Sequence, residues 1–221
     1  MRFYSAMLMA GCGLHAAAQT QRPNIVFIIT DDHSFQTISA YGSEVSKLAP
    51  TPNIDRLANE GARFDDAFVE NSLSTPARAC LLTGLYSHQN GQRTLGKGID
   101  STKTFVSELL QDAGYQTGVV GKWHMQCRPK GFDFFRIFEG QGDYYNPLVL
   151  SHDSNGKYER EQGYATDIVT EHAVEFLNQR DEQKPFFLLV EHKAPHRTWM
   201  PNLKYLGLYD KVEFPLPTTF W

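Results

Sequence analysis

Four short stretches carry side chains able to act together. Asp31-Asp32-His33 sets two carboxylates side by side. Hard, negatively charged oxygen donors suit calcium or magnesium, although a solvated turn or a helix N-cap uses the same residues. Lys122 and His124 stand two positions apart, so on an extended segment they point the same way. One is a point charge for an anion and the other a proton shuttle near neutral pH. In His192-Lys193-Ala194-Pro195-His196 a proline fixes the position of His196. The fourth stretch runs Ser72-Leu73-Ser74-Thr75-Pro76-Ala77-Arg78-Ala79-Cys80-Leu81-Leu82-Thr83-Gly84. It puts Ser74 just before a proline-initiated helix, near a positive helix end that favours anions, with Arg78 four residues on and on the same face. Taken alone, each stretch is equally well an ordinary cap, turn or polar loop.

The elements that must position these residues alternate between strand and helix. Asn24 to Thr30 is a continuous β-branched and aromatic run, as in a strand buried on both faces, and Gln116 to Gly121 and Pro185 to Val190 repeat it. Thr51-Pro52 opens a helix that carries Ile54, Leu57 and Ala58 and stops at Gly61; another begins after Thr75-Pro76. Thr104 to Ala113 and Ala165 to Gln179 have helical apolar periodicity, the second through Ile168, Val169, Ala173, Phe176 and Leu177. Residues 131–162 are aromatic and glycine-rich without period and read as a long loop. The pattern predicts an α/β fold with a largely parallel sheet flanked by helices. In such sheets ligands sit beyond the carboxyl ends of the strands. The clusters after residues 30, 121 and 190 are therefore expected on one edge.

Composition narrows the function. The 221 residues contain 21 Lys and Arg against 25 Asp and Glu, a net charge of −4, so no basic surplus exists to hold nucleic acid. Arg2, an apolar stretch from Phe3 to Leu14 and Ala16-Ala17-Ala18 read as a signal peptide over residues 1–18, with Met9-Ala10-Gly11-Cys12 as an alternative lipobox giving a lipid anchor at Cys12. Export to a periplasmic or cell-surface location is the expectation. After the signal, no segment approaches the about 18–20 apolar residues of a membrane span. Cys80 and Cys127 remain as the mature thiols and are able to pair in an oxidising compartment if the fold brings them together.

The stretch from Ser74 through Pro76-Ala77-Arg78 to Leu81-Leu82-Thr83-Gly84 resembles the signature of the formylglycine-dependent (type I) sulfatases. Arg22-Pro23-Asn24-Ile25 leading into Asp31-Asp32, Gly121-Lys122-Trp123-His124 and Ala194-Pro195-His196 resemble that family in the same order. The resemblance spans residues 22–221 and implies an alkaline-phosphatase-like α/β sandwich. It implies that Ser74, a serine-type site, is oxidised to formylglycine (3-oxoalanine) by a radical maturation enzyme, giving a hydrated aldehyde as nucleophile. Asp31, Asp32 and the modified Ser74 become ligands of one divalent metal, calcium or alternatively magnesium. Arg78 holds the aldehyde, Lys122 neutralises sulfate, His124 is the base and His196 the acid for the departing sugar alcohol.

Members of that family are usually about twice as long, and the second metal pair and further sulfate-binding Lys that they carry are not visible before Trp221. Residues 22–221 are thus expected to be the N-terminal part of a catalytic domain, inactive on their own. Met125 to Phe135, Gly140 to Pro147 and His192 to Arg197 resemble bacterial N-acetylglucosamine-6-O-sulfatases, which implies 6-O-sulfated host glycans as substrate. A phosphate or phosphonate monoester hydrolase and a non-catalytic sulfated-glycan-binding remnant are the alternatives.

Overall fold

The three apolar runs form three adjacent strands of one sheet. The computed structural model describes residues 22–217, 219 and 220, so the expected signal peptide and lipobox Cys12 lie outside the described residues. Its strands are β1 (Ile25–Thr30), β2 (Gln116–Gly121), β3 (Phe134–Phe138), β4 (Leu148–Ser151), β5 (Tyr158–Arg160) and β6 (Phe186–His192). They are ordered β1-β6-β2-β3-β4-β5, parallel from β1 to β3 and antiparallel from β3 to β5. The helices are α1 (Glu44–Leu48), α2 (Pro52–Glu60), α3 (Ser74–Thr83), α4 (Ser87–Asn90), α5 (Val106–Asp112) and α6 (Ala165–Gln179).

Side chains alternate along each strand, so the core divides into two layers. On one face Ile168, Val169, Ala173 and Phe176 of α6 pack on Val120, Leu188 and Val190. At Gly118 a Cβ would lie 2.9 Å from the Phe176 ring, so glycine lets α6 approach β2 closely. On the other face Ala79 and Leu82 of α3, with Val106 and Leu110 of α5, cover Val119, Phe187 and Leu189. Each fully buried Leu or Val contributes about 1.5–3 kcal/mol, so these layers hold the sheet's carboxyl edge rigid.

Several expectations need correction. Residues 131–162 are not a loop: β3, β4 and β5 extend the sheet there, and their five, four and three residues are too short to impose a period on the sequence. β1 is not buried on both faces, since among the described residues it pairs only with β6 and exposes Val26, Phe27 and Ile28. α3 begins at Ser74 rather than after Pro76, with Leu73 as its N-cap. α5 begins at Val106, because Phe105 serves as its N-cap. Cys80 and Cys127 are both free thiols. Among the described residues no helix is long and apolar enough to cross a membrane.

Candidate active site

Three strand ends meet where expected. Asp31 follows β1, Lys122 follows β2, and the Asp31 backbone N–H donates to the Ala194 carbonyl after β6 at 3.1 Å. Asp31 and Lys122 are both buried and form a direct ion pair. Arg78, buried on α3, adds its guanidinium: Nη2 lies 3.8 Å from Asp31 Oδ1, Nη1 donates to the Lys122 carbonyl at 2.8 Å, and Nε donates to Ser74 Oγ at 3.4 Å. Ser74 is half-buried at the first turn of α3, where backbone N–H groups without helical partners favour negative charge. The i, i+4 spacing from Ser74 to Arg78 thus does what the sequence suggested, although Ser74 lies inside the helix.

Lys122 and His124 reach the site by bending. Gly121 has φ +97° and His124 φ +50°, so the segment is not extended as expected. A Cβ at Gly121 would lie 2.1 Å from the Glu191 carbonyl, and that carbonyl accepts the Lys122 N–H at 2.8 Å. His124 is half-buried, with Nδ1 3.4 Å from Thr75 Oγ1, while that hydroxyl donates to the His124 carbonyl at 3.1 Å. Burial first, then the charges of Lys122 and Arg78, lower the His124 pKa to about 4, so it is neutral at pH 7. Burial also lowers the Lys122 ammonium pKa.

Asp32 and His196 form a second, more open group. Asp32 is exposed with φ +59°, and its Oδ2 lies 3.6 Å from His196 Nε2. His196 Nδ1 donates to the Arg197 carbonyl at 2.6 Å, which leaves Nε2 as the nitrogen facing Asp32. Tyr144 and Tyr145 brace this loop by packing. The Tyr144 hydroxyl donates to the His196 carbonyl, its ring stacks on Tyr164, and the Tyr145 hydroxyl donates to the Pro201 carbonyl.

Asp31, Asp32 and Ser74 supply hard oxygen donors, the right kind for calcium or magnesium. The described residues contain no group of three or more His, Cys, Asp or Glu side chains able to hold a metal, so the set fits in kind and falls short of the six to eight oxygens of calcium. Ser74 also suits a modified side chain, since an oxygen there already meets the Arg78 Nε–H.

Two members of the site were not singled out in the sequence. Glu191 is buried near the end of β6, with Oε1 2.5 Å from Arg78 Nη1, and burial pushes its carboxyl up to about 7. Lys193 is buried over the Tyr144 ring at 5.1 Å and donates to the Gln141 carbonyl at 3.3 Å. A charged residue interrupting the apolar run before His192 was the available signal for Glu191.

The sulfatase family model matches residues 23–217. An N-acetylglucosamine-6-O-sulfatase of Bacteroides thetaiotaomicron is 45% identical over 220 residues, covering 98% of this chain and 38% of the relative. A protein solved in complex with its substrate D-glucosamine-2-N,6-O-disulfate superposes with a TM-score of 0.85 at 47% identity, over 90% of this chain and 40% of that one. A member of the alkaline phosphatase superfamily from Vibrio parahaemolyticus shares the fold, with a TM-score of 0.55 at 21% identity over 84% of this chain and 43% of its own. The chain spans less than half the length of these relatives.

Proposed function

The chain belongs to the sulfatase family, and we propose that the protein hydrolyses sulfate esters of host glycans, with the 6-O-sulfate of N-acetylglucosamine as its substrate. The observation that carries this reading is the buried Arg78–Asp31–Lys122 cluster at the N-terminus of α3, beside the Ser74 side chain. The 45% identity to an enzyme named for that reaction supports the choice of sugar.

A sulfate monoester brings one negative charge, and Lys122 and Arg78 meet it where burial strengthens the attraction. Formylglycine made from Ser74 by a radical maturation enzyme would supply an aldehyde hydrate as nucleophile. Asp31, Asp32 and residue 74 would hold a calcium or magnesium ion, which would supply Lewis-acid polarisation. Arg78 orients the side chain at position 74 through Nε. His124 accepts a proton: it is neutral at pH 7, and a bound anion beside Lys122 and Arg78 offsets the positive field that weakens it as a base. His196 gives a proton to the leaving sugar oxygen from Nε2, the nitrogen that lies 3.6 Å from Asp32 Oδ2. Export to the periplasm or cell surface, by a signal peptide or a lipid anchor at Cys12, would bring the enzyme to such glycans.

The test is expression of the protein as its gene encodes it in an anaerobic host with the maturation enzyme. The tryptic peptide holding residue 74 is expected to be lighter by roughly two mass units, the loss of two hydrogens. Sulfate should be released from 6-O-sulfated N-acetylglucosamine. An unmodified Ser74 in fully active enzyme overturns the mechanism, and faster turnover of 4-nitrophenyl phosphate than of the sulfate overturns the reaction class.

A further inference from the structure

Resting on the sulfatase reading above, we propose that Glu191 is a positioning residue whose carboxylate fixes the Arg78 guanidinium so that Nε faces the side chain at position 74. Glu191 is 2% exposed, in a strand whose residues from Phe186 to Val190 are all apolar and buried. Isolating a carboxylate there is costly, and an uncharged side chain would complete the strand equally well. Departures from the local rule of this kind belong to functional sites.

The geometry of the pair separates it from a purely structural salt bridge. Glu191 uses one oxygen: Oε1 takes Arg78 Nη1 at 2.5 Å, and among the described residues Oε2 has no hydrogen-bond partner. A bidentate pairing would take up a second Arg78 nitrogen. The one-oxygen contact leaves Nε for Ser74 at 3.4 Å and Nη2 toward Asp31 at 3.8 Å. Nη1 also donates to the Lys122 carbonyl, so the guanidinium is pinned at one corner and presents its other two nitrogens to the site. The Glu191 main chain acts on the second cation, because its carbonyl accepts the Lys122 N–H. One residue therefore sets the backbone of Lys122 and the side chain of Arg78. On the far side a small apolar cavity lined by Phe27, Ile29, Leu81, Val106 and Leu189 reaches Arg78 and Glu191, and its low polarity strengthens the pair.

The experiment compares wild type, E191Q, E191D, R78K and the double variant E191Q/R78K in the protein as its gene encodes it, matured as above. E191Q keeps the shape and removes the charge. It is expected to keep the melting temperature within a few degrees and full formylglycine content, and to lose roughly ten- to hundredfold in kcat with little change in KM. E191D should recover part of that loss. E191Q should add little to R78K, since both act through one guanidinium. Wild-type kcat in E191Q, or losses that multiply in the double variant, overturns the proposal. If wild type releases no sulfate, the sulfatase reading fails by itself. Crystal structures of wild type and E191Q then decide the positioning role, and an Arg78 Nε that stays on residue 74 in the variant overturns it.

Discussion

β6 and β1 are adjacent and parallel, and both begin with an apolar run, yet they differ in burial. In register, Val26 lies beside Leu188 and Ile28 beside Val190, on the same face of the sheet. Leu188 and Val190 are 1% and 5% exposed, whereas Val26 and Ile28 are 50% and 54% exposed. α6 packs mainly across β2 and β6, and among the described residues β1 has a strand on one side only. An apolar, β-branched run therefore reports a capacity for burial, and neighbours decide whether it is used. The same difference reaches the chemistry. The segment after β1 leaves Asp32 in the open, while the end of β6 sequesters Glu191 and Lys193.

The sharpest break of this contrast lies where β2 touches β6. Gly121→Ala would place a methyl 2.1 Å from the Glu191 carbonyl at φ +97°, where neither backbone can yield without breaking the Lys122 N–H bond. The expected cost exceeds about 4 kcal/mol, enough to abolish cooperative unfolding, and a urea melt followed by circular dichroism reads it. Next in size, Leu188→Ala should cost about 2–5 kcal/mol. Ile28→Ala on the neighbouring strand should cost under about 1 kcal/mol, because half of that side chain already meets water. Equal urea midpoints for the two variants would mean that β1 is covered in solution.

This contrast also explains what was legible in the sequence. β2 and α6 were read to their observed bounds, because each is packed on both the neighbours it needs and α6 carries a long helical period. β1 was located correctly but its exposure was not, since exposure is set by elements far away in the chain. β3 to β5 were missed because strands of five, four and three residues are too short to build a period. In the site, Asp31, Ser74, Arg78 and Lys122 were identified from ordered motifs. Glu191 was not, because its partner Arg78 lies 113 residues away and a lone Glu at a strand end reads as solvated.

A smaller effect tests the buried carboxyl against the three charges that face it, Arg78 from α3, Asp31 after β1 and Lys122 after β2. The folded Glu191 pKa, about 7, lies above the ordinary 4.5, so between those values the folded state binds more protons than the unfolded one. Its contribution is therefore fully present below pH 4.5 and lost as pH rises to about 7. His124 works in the opposite sense, since a pKa lowered from 6.5 to about 4 removes stability as pH falls through that interval. His124 is common to wild type and E191Q and cancels in their difference. E191Q should gain on wild type from pH 4.5 to 7, by on the order of 1–3 kcal/mol, and hold that gain above pH 7. A difference that stays flat across the range would mean that Glu191 is ionised throughout.

The smallest expected change in stability is at the exposed face of β1, where Ile28→Lys should alter the unfolding free energy from a urea melt by less than about 0.5 kcal/mol. Lysine can lay its methylenes along the sheet and keep its ammonium in water, so little apolar contact is lost. The colloidal effect should be larger than the thermodynamic one. Val26 and Ile28 form an apolar strip on a strand whose outer edge is unpaired among the described residues, the arrangement that recruits further strands, and a lysine on such an edge opposes pairing by burying a charge in any partner sheet. Light scattering at increasing concentration should therefore show less self-association for Ile28→Lys than for wild type, with unchanged circular dichroism. The same substitution at Val190, one strand away in register, should instead unfold the protein, since that position has no route to water. Comparable tolerance at both positions would contradict the difference in burial between β1 and β6.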